Sequence, residues 1–281
     1  HDDCFMNKGG LWDGISEYDL YKQAYTPWEW QPKLIEEAHK LGMECFSSPF
    51  DFTAVDFLEE LNVPAYKIAS YEINDIPLIR KVAKLHKPVI FATGIAYPED
   101  IERAFAVCKE EGNEDVILLK CVSAYPTPYE EVNLNVIPTL AKTYDCLTGI
   151  SDHTLGTIVS AGAVPLGAKM VEKHLTLRRA DGGPDSGFSM EPQEFKQMVD
   201  EIRIFGSSEY VLTEKQKQEH RGSRSLFVVK DIAAGETLTP ENIRSIRPGI
   251  GLHTMYYEEV LGKRAKHFLK KGTPLAWELI Q

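Results

Sequence analysis

The sequence predicts an α/β protein: a barrel of the TIM (β/α)8 type that lacks its first two β/α units, followed by a small α+β domain. Three observations predict it. Between about 43 and 176, a short apolar run, a polar stop and a helix-like stretch recur through six units. The apolar runs are nearly continuous, as in parallel strands whose outer face is covered by helices. No Gly-rich dinucleotide turn follows the first run, which favours a barrel over a doubly wound sheet.

The elements follow in order. The aromatic-rich opening, 1–30, has weak periodicity and reads as a long loop with a short helix over 17–24. A helix over 32–41 is ended by Gly42. The predicted strands are MECFSSPF (43–50), AYKIASY (65–71), PVIFATG (88–94), VILLKCVSAY (116–125), CLTGISDH (146–153) and MVEKHLTL (170–177). Helical patterns over 53–61, 75–85, 98–111 and 154–166 lie between them, and 191–204 is the last outer helix. A barrel of eight strands would need two further units, on the order of 60 residues at about 250 per barrel, before His1. The first domain is thus expected over 1–205. Residues 206–222 read as an exposed linker, and 223–281 as the small domain, with a strand-like RSLFVVKDI and a short helix in YYEEVLGKRA.

Composition limits the partners. The chain has 281 residues, 43% hydrophobic and 26% charged, enough for one large core and a small second domain. No apolar run approaches the roughly 18 residues of a membrane span, and no signal pattern opens the chain, so a cytoplasmic protein without a membrane partner is expected. Cys4, Cys45, Cys108, Cys121 and Cys146 are widely spaced and read as reduced, packed thiols. The formal charge of −11 argues against nucleic acid as a general partner, and an anionic substrate would need a locally basic pocket.

Five successive runs finish in small hydroxyl residues: Ser48, Ser70, Thr93, Ser123 and Ser151. A barrel's catalytic face lies at its strand C-termini, so these hydroxyls would ring one mouth and suit phosphate or carboxylate oxygens. Any one alone could simply start a turn. Lys67 and Lys120 stand within apolar strands, where a buried ammonium needs an anion: a substrate, or a carboxylate such as Glu72 or Glu172. His153 and His174 end the last two runs. Imidazoles on adjacent strand ends can hold a divalent metal with open positions, and two of them suit a labile Mn²⁺ or Mg²⁺ better than structural zinc. His1, His39, His86, His220, His253 and His267 read as surface residues. The Gly-rich loop 182–192 carries Asp185 at the same mouth as a candidate acceptor for sugar hydroxyls.

Together these segments resemble the sialic acid synthase family, whose members make nine-carbon keto sugar acids from phosphoenolpyruvate. The motifs are FSSPFD (46–51), YKIASYE (66–72), ATGIA (92–96), YPTPYE (125–130), GISDHTLG (149–156), EKHLTL (172–177) and GGPDSGFSMEP (182–192). RSLFVVKDI, GETLTPENI and RPGIGL resemble that family's antifreeze-like (SAF) domain. LWDGISEYDLYKQAYTPWEW and KCVSAYPTP are most similar to its pseudaminic acid branch, with N-acetylneuraminate and legionaminate synthases as the alternative.

The resemblance implies a transferase that joins phosphoenolpyruvate to 2,4-diacetamido-2,4,6-trideoxy-altrose and releases phosphate. It makes His153 and His174 the metal ligands. Lys67, Ser70, Ser123 and Ser151 become phosphoenolpyruvate contacts, with Ser48 and Thr93 close by. Glu72, Tyr125 and Asp185 fall at sugar positions, and Glu72, Lys67 and Tyr125 carry the catalytic roles. Arg247 matches an arginine that reaches into the partner subunit's barrel, which implies a domain-swapped homodimer. In the implied reaction C3 of phosphoenolpyruvate attacks the metal-polarised aldehyde, water adds at C2, and phosphate leaves by C–O cleavage.

The family's E-I-G-x-N-H-N-G and K-F-Q motifs do not occur in the chain, and the joint at 202–210 is a few residues shorter than the family's. Residues 1–281 alone are therefore expected to be poorly soluble and inactive. Two readings of other classes remain open: a Schiff-base aldolase using Lys67 or Lys120, and a truncated, non-catalytic sugar-binding or dimerisation module acting through 223–281.

Overall fold

Five short parallel strands, each hydrogen-bonded to the next in sequence order, form the main sheet. They are β1 (Tyr66–Ile68), β2 (Val89–Ala92), β3 (Val116–Cys121), β4 (Leu147–Asp152) and β5 (Met170–Lys173). Parallel neighbours in sequence order require every connection to return outside the sheet, which is where the helices run. The computed structural model describes residues 3–205 and 211–281, and the chain divides into two units, His1–Gly206 and Ser207–Gln281.

The expected sixth strand, over 43–50, does not form. That run makes one parallel bridge, Ser47 to Tyr66, supported by a hydrogen bond from Lys67 N to Ser47 O. Pro49 lacks a backbone donor, and Asp51 already caps the next helix, so the ladder has no room to extend.

The helices fall close to their expected positions. α1 (Glu17–Ala24) and α2 (Gln31–Lys40) precede the sheet; α3 (Phe52–Glu60), α4 (Ile76–Ala83), α5 (Pro98–Glu110), α6 (Val136–Tyr144), α7 (Ile158–Ala163) and α8 (Pro192–Arg203) connect or follow its strands. Local chemistry sets their starts. Asp51 accepts from Ala54 N at α3, Asp75 from Leu78 N at α4, and Glu191 and Glu194 form a capping box ahead of Pro192 at α8. α7 is shorter than the predicted 154–166, because Thr154 bonds to Asp152 and leaves the helix to begin at Ile158.

Period-two alternation sorts the strand side chains onto two faces. Tyr66, Ile68, Val89, Phe91, Val116 and Leu118 join Val55, Leu78, Val82 and Ile101 of the helices in the main core. Each such fully buried side chain contributes about 1.5–3 kcal/mol. The intervening residues, Ala65, Ile90 and Leu119, form a separate cluster on the inner face with Ile117 and Met170. Lys67, between Tyr66 and Ile68, therefore points inward. In a flat sheet β1 and β5 would lie roughly 19 Å apart, four gaps of about 4.8 Å. Lys67 Nζ and Glu172 Oε1, on those two strands, are only 3.4 Å apart. The sheet is curled into a half-barrel.

The part of the expected linker at 206–210 lies outside the described residues. The rest of that segment differs from expectation: α9 (Glu214–Glu219) is helical, with all its residues exposed and a Thr213 capping box. Beyond it, β6 (Ser225–Val228) pairs antiparallel with β7 (Ile243–Ile246), and α10 (Tyr257–Val260) is the short expected helix. Leu226, Val228, Ile232, Leu238, Ile243, Val260, Leu269 and Leu275 build this unit's own core. No described helix is long and apolar enough to cross a membrane.

Candidate active site

The inner face ends, at the strand C-termini, in a cluster of polar and titratable groups. Ser70 follows β1, Cys121 closes β3, Ser151 lies in β4, and His153 and His174 follow β4 and β5 directly. Registry brings the last two together: Ser151 opposes Glu172 and Asp152 opposes Lys173, so His153 and His174 extend from matched positions. Their ring centroids are 5.3 Å apart at 65°.

Alternation places Ser151 and Glu172 inward and Asp152 and Lys173 outward. Ser151 Oγ donates to Glu172 Oε1 (2.6 Å), and the same carboxylate meets Lys67 Nζ. On the outer side Lys173 Nζ pairs with Asp152 Oδ2 at 2.8 Å, with side-chain exposures of only 1% and 0%. Thr154 N and Oγ1 and Ser160 Oγ also donate to Asp152, and Lys173 Nζ donates to Thr154 O. One member of a buried, hydrogen-bonded ion pair thus stands one residue before each imidazole.

Each imidazole has a defined partner. His153 Nδ1 lies 2.9 Å from Val122 O and 3.9 Å from Cys121 Sγ; donation to the carbonyl leaves Nε2 free. His174 Nδ1 is 3.6 Å from Asp185 Oδ2. Burial draws His153 toward its neutral form, but the Cys121 sulfur and the Val122 carbonyl outweigh it, and its pKa is raised. Burial, then the neighbouring His153, lowers that of His174. Burial opposes ionisation of Cys121, yet His153 beside it takes the thiol below its ordinary value. Cys121, expected to be a packed thiol, is therefore part of the site.

The hydroxyls converge only in part. Gly94 N donates to Ser70 Oγ, which donates to Cys121 Sγ. A Cβ on Gly94 would lie 2.2 Å from Ser123 Oγ and 2.8 Å from Ser70 Oγ, so only glycine lets these groups close up. Ser123 Oγ and Glu72 Oε2 are buried without a hydrogen-bond partner, and burial raises the Glu72 pKa. Unpartnered buried polar atoms at a strand-end mouth are groups that a ligand would satisfy. Thr93 Oγ1 instead donates to Leu119 O, and no hydrogen bond among the described residues ties Ser48 to the group. Lys120 faces outward and donates to Cys121 O, with burial lowering its pKa.

Aromatic rings form one wall of the mouth. Tyr125 lies 4.4 Å from His153, 5.2 Å from Phe188 and 5.6 Å from Trp12. Burial, with Cys121 adding to it, pushes the Tyr125 hydroxyl up to about 12. Cys121, Gly94 and Trp12 were not expected in the site, whereas Glu172 is the carboxylate partner that the sequence offered for an in-strand lysine, and it pairs with Lys67. Inward alternation along β3 was the available signal for Cys121. His39, His86, His220, His253 and His267 are exposed, as expected, and His1 lies outside the described residues. Arg247 is exposed in the second unit.

The donor chemistry suits a divalent ion. Two facing imidazoles with free Nε2 atoms, and Asp185 beside one of them, offer nitrogen and oxygen donors. No group of three His, Cys, Asp or Glu donors converges among the described residues.

Comparison with known proteins gives the lineage. The chain is 44% identical over 285 residues to a pseudaminic acid synthase of Helicobacter pylori, covering 100% of this chain and 84% of that protein. It is 43% identical over 275 residues to a pseudaminic acid synthase of Campylobacter jejuni, covering 96% and 80% respectively. The crystal structure of the spore coat polysaccharide biosynthesis protein SpsE of Bacillus subtilis matches 100% of the chain and 84% of its own, with a TM-score of 0.62 and 32% identity. The SAF domain profile matches 223–281, and the NeuB profile matches 2–215, which takes in the curled sheet and both histidines. By that match and by its full-length relatives, the chain belongs to the NeuB family.

Proposed function

We propose that the chain is a pseudaminic acid synthase, a transferase that condenses phosphoenolpyruvate with 2,4-diacetamido-2,4,6-trideoxy-altrose to give pseudaminic acid and phosphate. The observations that carry the chemistry are at the strand ends of the half-barrel: two imidazoles 5.3 Å apart after β4 and β5, and a Ser123 hydroxyl and a Glu72 carboxyl buried without partners after β3 and β1. Full-length identity to two pseudaminic acid synthases supports the choice of sugar.

In this reading Lys67, Ser70, Ser123 and Ser151 bind the anionic donor, with Ser48 and Thr93 near it, and positioning accounts for most of their effect. Binding of the donor's anionic groups would draw Lys67 and Ser151 away from Glu172, which holds both in the free protein. Glu72, Tyr125 and Asp185 face the sugar. Burial raises the Glu72 pKa, which favours its protonated form relative to an exposed carboxyl. His153 and His174 would hold Mn²⁺ or Mg²⁺, which when bound polarises the aldehyde oxygen of the open-chain sugar. We assign 1–205 to the synthase domain, 206–222 to the linker and 223–281 to the SAF domain. Arg247 is proposed to reach the mouth of a second copy in a domain-swapped, cytoplasmic homodimer.

The test is phosphate release from phosphoenolpyruvate by the chain co-expressed with a family N-terminal segment carrying E-I-G-x-N-H-N-G and K-F-Q, with a panel of amino sugars and with and without Mn²⁺. Release should be greatest with the diacetamido-trideoxy sugar, should fall with chelator, and should drop by at least about 100-fold in His174→Ala, which also loses Mn²⁺ binding. Release that is unaffected by chelator and by this substitution would contradict the assignment.

A further inference from the structure

The segment LWDGISEYDLYKQAYTPWEW carries part of the resemblance to the pseudaminic acid branch, yet the reaction as described makes no use of it. Its Trp12 is placed with care. Residues 6–16 fold back on themselves: Met6 bridges Ser16 antiparallel, Asn7 N donates to Ile15 O, and Ile15 N donates to Trp12 O. Gly14, at φ +77, supplies the left-handed turn, and its N–H donates to Asn7 O. The loop is thus held by its own backbone, with Trp12 near its tip.

From there the indole reaches two elements far away in sequence. Its ring lies 5.6 Å from that of Tyr125, tilted by 54°. Its Nε1–H donates to Pro184 O at 3.2 Å, next to Asp185, whose carboxylate is 3.6 Å from His174 Nδ1. A single side chain therefore touches the elements carrying Tyr125 and Asp185, two of the three proposed sugar positions. With Tyr125 and buried Phe188, it extends an aromatic wall beside the imidazoles. Such a wall matches apolar carbon, and hydroxyls set against it would lose hydrogen bonds to water.

We propose that Trp12 is a specificity-determining residue whose indole packs against the methyl-bearing face of the amino sugar, favouring acetamido and deoxy substituents over free hydroxyls. This rests on the proposed condensation, whose sugar carries two acetamido methyls and a deoxy C6. The tie to Pro184 fixes the indole plane and the Asp185 loop at the same time, so wall and acceptor act as one unit.

The experiment is steady-state phosphate release by the full-length protein and its Trp12→Ala and Trp12→Phe variants. The sugars are 2,4-diacetamido-2,4,6-trideoxy-altrose and N-acetylmannosamine, which has one acetamido group and a C6 hydroxyl. Trp12→Ala should raise the KM for the first sugar about tenfold, the scale of a lost apolar contact in a pocket. The KM for phosphoenolpyruvate and kcat should change by less than about twofold, and preference for the first sugar should fall about tenfold. Trp12→Phe, which keeps a ring but loses the N–H, should recover most of the preference. It also serves as the test if the alanine variant does not fold, since its KM should then rise for the sugar alone. Equal change in both KM values in either variant, or unchanged preference between the sugars in Trp12→Ala, would overturn the inference while leaving the condensation standing. Failure of the unsubstituted protein to release phosphate with either sugar would overturn the condensation and this inference with it.

Discussion

Asp152 and Lys173 neighbour the two histidines in sequence but face away from them, and that opposition defines their work. Each side chain is buried and hydrogen-bonded, and their strands are in register at this pair. A one-residue slip would turn His153 and His174 out of the mouth, so the pair holds the register where it matters most. Removing one partner leaves a buried charge alone. Lys173→Met is expected to cost about 3–5 kcal/mol in urea unfolding, and Asp152→Asn/Lys173→Met to recover part of it, because asparagine keeps an acceptor without the charge. A single variant within about 1 kcal/mol of the parent would show that the pair is not the constraint described. The contrast between Lys67 and Lys120 has the same origin. Both are lysines in apolar strands, but Lys67 points into the half-barrel toward Glu172, whereas Lys120 points outward to a backbone carbonyl.

Among the elements, the connection from β5 to α8 depends most on charge. Arg179 binds Glu194 through both guanidinium ends, at 2.6 and 2.8 Å, and Glu191 N donates to the same carboxylate. The loop that carries Asp185 is thereby fastened to the first turn of α8. Arg179, followed by the Glu191 N–H, takes the Glu194 carboxyl down to about 2 from an ordinary 4.5. A carboxylate whose pKa is depressed in the folded state adds stability above the unfolded value, and loses it as pH falls through the folded value. The contribution of Glu194 is therefore complete above about pH 4.5 and disappears toward pH 2, and solvent exposure keeps it small. Thermal melts of Glu194→Gln should show a shallower loss of stability across that window than the parent. Parallel curves would mean that the tie contributes nothing to folding. The shortened first run belongs to the same scale. Apolar composition over 43–50 predicts a strand, but Pro49 and the Asp51 cap leave one bridge at Ser47.

For the whole molecule, the central question is whether each mouth is completed by a second chain. The proposed role of Arg247 makes a quantitative prediction. Mixing inactive His153→Ala and Arg247→Ala variants, with subunit exchange, makes half the dimers mixed, and each mixed dimer has one intact mouth. Activity should return to about a quarter of the parent's per subunit. No recovery after exchange has been verified by mass spectrometry would place Arg247 outside the partner's site. The charge of −11 bears on this scale too, since it leaves donor binding to local groups such as Lys67 and the hydroxyls and not to the overall field.

By itself the sequence determined the periodicity: parallel strands with helices outside, a second small unit, and two histidines at adjacent strand ends. These are local patterns, written in runs of residues a few positions apart. Tertiary structure alone decided which polar groups meet. Lys67 and Glu172 are more than a hundred residues apart and come together because the sheet curls. Cys121 joins His153 because both point inward from neighbouring strands, and the same alternation sends Lys120 the other way. Trp12 reaches Tyr125 and Pro184 through a loop whose shape depends on backbone hydrogen bonds and a left-handed glycine. Curvature, inward direction and loop shape arise from packing across the whole unit, and no window of adjacent residues contains them.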